Sequence, residues 1–382
     1  NPGDSILLKR GDTFAPTTIS TVGVVHIPVG KSGNSGAYIV MGAYGNLSLA
    51  RPVISNKQVS AYSVAVRLQS QSYFIYQDIH FIGELSLRAS DSDMGLHHVK
   101  FLRLKISEGR MGFYNPYAPA NTPEPNIAKP LNNIEIGYCE FENTIGEDCI
   151  NMGSANGNIW IHHNTFHKIS EEAIDIGGGD NNIVEYNFIS GTTVQGIKLH
   201  SQFMEQRYTI VRGNVIQGAG SYAFAYENVT DGQIYNNTFY GNPNAMFLGW
   251  LHANAPLVNE FTGNVFSNNI IIGTVITGMP KNVNYTYRNG TTENLQIGEM
   301  WENNSFYNNT YYTFNNSPIH RLIYYTGSIA YNASVLPYGR YETQADYAQT
   351  DARIYPSEIA SKWLNKANVH NDRFADPEMI NL

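Results

Sequence analysis

The sequence predicts an all-β fold, a single-stranded right-handed parallel β-helix with a short C-terminal helix. Three observations carry this: a short recurring motif, a turn-rich composition and the lack of any linker. The motif is a tripeptide ending in an apolar residue: CEF (139–141), NTF (164–166), NFI (187–189), NVI (214–216), NTF (237–239) and NVF (264–266). It returns every 23 to 27 residues. Only 15% of the 382 residues are charged, while 34 Gly and 26 Tyr accompany abundant Asn. Gly and Asn tolerate the left-handed backbone of tight turns, so many short strands and few long helices are expected.

The repeat fixes the architecture. Its period, with short strands joined by polar turns, is too strand-like for helical repeats and lacks the leucines of a leucine-rich horseshoe. Earlier rungs are read at IHF (79–81) and VKF (99–101), before an insertion at about 115–131, giving at least eight coils. Successive coils would stack ~4.8 Å apart, so Asn164, Asn187, Asn214, Asn237 and Asn264 are expected to form a ladder of side-chain amides. No Pro/Ser-rich or charged stretch divides the chain, so residues 1–345 are read as the solenoid and 346–382 as a tail. In the tail, YPSEIASKWLNKA (355–367) has a Pro-Ser helix start and Ile359, Trp363 and Leu364 on one face. It is expected to pack as a helix on the open end.

Charge and hydropathy narrow the function classes. The 24 basic and 32 acidic residues leave a net charge of -8 without a basic cluster, which excludes a nucleic-acid partner. The longest apolar run, Ile270 to Met279, is far short of the ~20 residues of a membrane span. A soluble, monomeric protein that is secreted, extracellular or periplasmic is expected. The chain opens at Asn1 within what reads as ongoing structure, so a removed leader or N-terminal cap is part of that expectation. Sequons at Asn46, Asn228, Asn236, Asn284, Asn289, Asn303, Asn308 and Asn332 are what Asn-rich turns generate by chance. Cys139 and Cys149 fall on different faces of one coil and are expected to be free thiols.

A second column carries the candidate chemistry. In DCINM (148–152), EAIDI (172–176), GIKLH (196–200) and AFAYE (223–227), Ile150, Ile174 and Ile197 align as inward residues. Alternation then sends Asn151, Asp175, Lys198 and Ala225 outward from successive coils. Glu147, Asp148, Glu171, Glu172 and His200 lie close by, so carboxylates and a lysine share one external face. Arg207 and Arg212, one coil further, are candidate partners for substrate carboxylates, His200 is a further substrate-binding candidate, and Tyr222 and Tyr226 are candidates for stacking on sugar rings. His162, His163 and His167 resemble a metal cluster, but alternation puts the first two on opposite faces and argues against a shared ion.

Several stretches resemble known families. PGDSILLKRGDTF (2–14), GAYGN (42–46), PVI (52–54) and DRFADPEMINL (372–382) resemble the ends of secreted, pectate lyase-like β-helix proteins that act on polysaccharides. EEAID (171–175) and GIKL (196–199) resemble the acidic calcium motif and the Phe-Lys-Leu catalytic motif of the family 9 polysaccharide lyases. That resemblance implies a polysaccharide substrate rich in uronic acid, cut by β-elimination. Asp148, Glu171, Glu172 and Asp175 would hold Ca²⁺, and Lys198 would be the base, with Asp175 and Asp148 as the other catalytic candidates. The family has aspartates where this chain has Glu171 and Glu172.

Two alternatives stay open. EDCINMGS (147–154) resembles the Asp-Asp-Cys-Ile motif of the polygalacturonases, implying a glycosidase built on Asp148 and Asp175, although GRMGFYN (109–115) lacks their Asn-Thr-Asp. Alternatively, Asp175 and Lys198 form only a salt bridge between coils, and the protein is a non-catalytic carbohydrate-binding or adhesin-like module.

Overall fold

Short strands separated by single left-handed corner residues can pair only with the equivalent strands one turn later, which generates a parallel coil. In the computed structural model the described residues are 1–17, 23–56, 64–88, 95–114, 131–153, 157–201, 205–249, 261–278, 283–286, 292–295, 304–312, 323–326, 367–370 and 373–374. They form a right-handed parallel β-helix of three walls. The first wall is a 12-stranded parallel sheet running from Ser5–Lys9 to Ala367–His370. A 21-stranded sheet forms the other two. In it the second wall begins at Thr13–Phe14 and the third at Val25–Ile27. The only antiparallel strand pair among the described residues joins Val283–Thr286 to Thr292–Leu295.

The corner between the first and second walls explains the Asn motif. A residue with positive φ turns the chain in each coil of the ladder: His163 (φ 53), Tyr186 (φ 53), Gly213 (φ 63), Asn236 (φ 56), Asn268 (φ 54) and Asn308 (φ 56). The next residue is the ladder amide. Each Oδ1 accepts the Nδ2–H of the ladder Asn in the coil before, at 2.9–3.0 Å, from Asn164 through Asn187, Asn214, Asn237 and Asn269 to Asn309. It also accepts that residue's backbone N–H. The ladder is buried and hydrogen-bonded along its length.

Asn264 is not a member of it. Val265–Ser267 belongs to the first wall, and Asn264 sits at its entry, accepting from the Gly232 N–H at 2.9 Å. The true rung is Asn269, 32 residues beyond Asn237. VKF (99–101) likewise lies in the first wall, and Lys105–Ser107 is the second-wall strand. An Asn followed by an apolar strand marks more than one corner, so stacking by motif fails where coil length changes.

The interior is a continuous column of Ile, Leu, Val and Phe. Phe141 and Phe166 lie 4.6 Å apart with rings nearly parallel. Full burial of each such side chain contributes on the order of 1.5–3 kcal/mol. Cys139 and Cys149 are buried free thiols. The strands Ala367–His370 and Arg373–Phe374 pair onto the first and second walls, so the solenoid continues past the boundary expected at 345. The expected helix and nearly all of the insertion at 115–131 lie outside the described residues. No helix among the described residues is long and apolar enough to cross a membrane.

Candidate functional site

On the third wall, parallel register translates sequence position into columns. Ser86, Gly112, Asn151, Asp175, Lys198, Ala225 and Phe247 are successive partners, each outward. Their neighbours Leu85, Met111, Ile150, Ile174, Ile197 and Phe224 point into the core. Because coils of unequal length still pair strand to strand, residues far apart in sequence meet within one coil spacing.

Three carboxylates converge beside this column. Asp148, Glu171 and Glu172 place ligand oxygens within 4.8 Å of one another, the only such group of His, Cys, Asp or Glu among the described residues. Asn151 donates from Nδ2 to Asp148 Oδ2 at 2.6 Å and orients it. Burial raises the affinity of Asp148 for its proton. Burial and a hydrogen bond with Asp148 push Glu172 up to about 10. Glu171 is raised by burial and by the charges of Asp148 and Glu147. The donor set suits a hard cation, since Ca²⁺ takes oxygen ligands and would offset both the burial of these carboxylates and their mutual repulsion.

Asp175 is not part of that triad. Its Oδ1 accepts from His200 Nε2 at 2.7 Å, and its Oδ2 lies 3.5 Å from Lys198 Nζ. Burial opposes its charge, but His200 and Lys198 outweigh burial and hold it well below the usual carboxylate range. Lys198 keeps a 20% exposed side chain. Burial works against its proton too, yet Asp175, Glu227, Glu172 and Asp148 hold that proton above the ordinary lysine range. Glu227, register partner of His200, is raised by burial against the pull of Lys198.

The structure does not bring the other candidates here. Tyr226 is fully buried in the core, its hydroxyl donating to Asn264 Oδ1 at 3.3 Å, so it cannot stack on a sugar. The alternation that sends Ala225 outward sends Tyr226 inward. Arg212 belongs to the first wall, where Nε donates to Glu185 at 2.5 Å and Nη1 to Tyr235 at 2.8 Å. Arg207 pairs with Asp180 at 3.1 Å and Glu205 at 3.3 Å in a small two-stranded sheet apart from the column. Both guanidiniums are already committed. His162 and His163 do approach, with Nδ1 atoms 3.1 Å apart, because the left-handed His163 breaks the alternation.

Sequence reasoning missed the neighbouring network. Buried Arg110 ion-pairs with Glu147 and lies 3.6 Å from Glu84. Its Nη2 donates to the Tyr114 hydroxyl at 2.7 Å, which in turn donates to Glu84 at 2.9 Å. Burial and the Glu84 charge push that hydroxyl up to about 12, so it remains a donor at neutral pH. These residues follow no repeat, and only the register of the third wall unites them.

Comparisons with known proteins agree on the scaffold. A family described as "Right handed beta helix region" matches residues 128–279. No curated protein sequence matches the chain. A lacto-N-biosidase of glycoside hydrolase family 136 from Eubacterium ramulus superposes with a TM-score of 0.53 at 14% identity, over 85% of this chain and 60% of its own. This chain thus spans less than two thirds of that protein. A mannuronic acid specific polysaccharide family 6 lyase from human gut microbiota gives 0.52 at 16% identity, over 84% of this chain and 74% of its own. At such identities the likeness is one of fold: the chain shares the right-handed parallel β-helix with these proteins.

Proposed function

We propose that this chain is a polysaccharide lyase acting on a uronic-acid-containing polymer at the outer face of the third wall. The observation that carries the reading is the placing of largely buried Lys198 beside the Asp148–Glu171–Glu172 triad by consecutive coils. The triad would hold Ca²⁺, which when bound supplies charge neutralisation for a substrate carboxylate and acidifies the adjacent C–H. Lys198 removes the proton α to that carboxylate. The C–H bond breaks, a C=C bond forms, and the glycosidic oxygen at the β position departs, protonated by water. A cation on the triad would weaken the part of the hold on the Lys198 proton that comes from Asp148 and Glu172, leaving the larger contributions of Asp175 and Glu227 for the bound substrate to offset. Asp175 keeps the amine aimed outward through the 3.5 Å contact.

A second reading, hydrolysis, is favoured by the contrast between Glu172, pushed up to about 10, and Asp175, held low. Neighbouring carboxyls with separated proton affinities suit acid and base roles. One experiment decides: wild type and Lys198→Ala are incubated with Ca²⁺ and pectic, alginate and glycosaminoglycan polymers, following ultraviolet absorbance of unsaturated uronate and the appearance of reducing ends. Unsaturated product that vanishes in the variant supports elimination. Reducing ends without it select hydrolysis, and neither signal removes both readings.

A further inference from the structure

The third wall carries a second polar feature beyond the candidate lysine and its carboxylates. Tyr114 is folded over Gly112, where a Cβ would meet the ring at 2.8 Å, so only glycine in this column lets the ring lie flat on the wall. The hydroxyl of Tyr114 is fixed from both sides, by Arg110 and by buried Glu84. Over this fixed ring rests the partly exposed Arg88, its guanidinium carbon 4.7 Å from the ring centroid. Arg88 Nε donates to Ser86 Oγ at 3.3 Å. Among the described residues Arg88 enters no ion pair, whereas Arg51, Arg103, Arg110, Arg207 and Arg212 each do. Stacking leaves the terminal nitrogens of a guanidinium directed outward with their donors in one plane, the arrangement that takes a carboxylate in two parallel bonds.

Its position is informative. Ser86, beside Arg88 on the same strand, stands in the Lys198 column, four coils away through Gly112, Asn151 and Asp175. Four coils correspond to about 19 Å, and a pyranose in an extended glycan advances by about one coil spacing. The intervening surface is polar, with half-exposed Glu147 tied to Arg110 and partly buried Asn151 and Glu171.

We infer that Arg88, stacked on Tyr114, is a distal anion subsite for the carboxylate of an acidic glycan whose reacting unit lies at Lys198. The inference rests on the proposal that the Lys198 face accepts a uronate polymer. Its reach makes it length-selective: a short oligomer seated at Lys198 does not touch Arg88, and a longer one does.

The test measures binding rather than turnover. Full-length Lys198→Ala, which does not consume its ligand, is compared with Lys198→Ala/Arg88→Ala by calorimetry in Ca²⁺, using trimers and heptamers of mannuronate and of galacturonate. At least one heptamer is expected to bind about tenfold more weakly to the double variant, with the matching trimer unchanged. Added salt should narrow the difference, and Lys198→Ala/Arg88→Lys should recover part of the affinity. Thermal unfolding reports whether the variants keep the fold. Equal heptamer affinity in the two proteins, equal loss on both lengths, or no binding of any oligomer by Lys198→Ala would each overturn the inference. Length-selective binding that depends on Arg88, together with wild type that forms no unsaturated product, would sink the lyase reading and leave the subsite standing.

Discussion

Two polar rows run along this solenoid, and they obey opposite rules. The Asn ladder at the first corner is buried and neutral, and each amide satisfies the next at 2.9–3.0 Å. Identical amides one coil apart can each donate and accept, so repetition itself is stabilising. On the third wall the row changes chemistry at every coil: Asn151, Asp175, Lys198, Ala225. Carboxylates outnumber cations there, and Glu172 is held neutral up to about 10. A repeat that satisfies itself builds scaffold, while a repeat broken in charge on its outer face leaves groups that a cation and an acidic substrate can complete.

The sharpest way to break the contrast is at Lys198. Lys198→Ala is expected to lower the formation of unsaturated product by about a thousandfold, in line with the contribution of a positioned base, with melting temperature little changed. Loss of fold instead would make the outer row structural like the ladder. Asn214→Ala should do the reverse: stability falls by about 3 kcal/mol in denaturant titration, because the buried Asn187 amide, the Val184 carbonyl and Asn237 Oδ1 each lose a side-chain partner at once.

Cation linkage separates the rows next. Millimolar Ca²⁺ should raise the melting temperature of wild type by several degrees, and Glu171→Gln/Glu172→Gln should not respond. An unchanged wild-type melting curve would count against the triad as a cation site.

A smaller effect follows from Glu172 alone. Its proton affinity in the fold is raised from 4.5 to about 10, so the stability it contributes is fully present below about 4.5 and is lost as pH rises towards 10. In chelator, Glu172→Gln should therefore be more stable than wild type at neutral pH by roughly 1–3 kcal/mol, the gap growing with pH. The opposite sign would mean Glu172 is ionised and paired. The least change is expected at Arg207→Ala and Arg212→Ala: both lie off the column in existing ion pairs, so product formation should stay within about twofold of wild type.

Much of this organisation was legible before the fold was known. The 23- to 27-residue motif gave the solenoid, and alternation gave the outward column, because in a parallel coil register and repeat are the same quantity. Asn264 and VKF (99–101) were misread because the motif names a corner without saying which, and coil length changes near both. Tyr226 failed against the alternation that placed Ala225. The Arg110–Tyr114–Glu84 network had no signal in the sequence, since its residues share no period and its geometry needs the gap above Gly112.

The sequence by itself determined that this chain coils, and which residue types face outward on the third wall, because period and alternation are properties of the backbone. Only the tertiary structure decided which carboxylates meet as a triad, which one is drawn off to His200 and Lys198, and which arginine is left without a carboxylate among the described residues. Those are matters of a few ångströms between side chains from different coils, set by rotamers, burial and the competition among neighbouring charges, and no spacing along a chain encodes them.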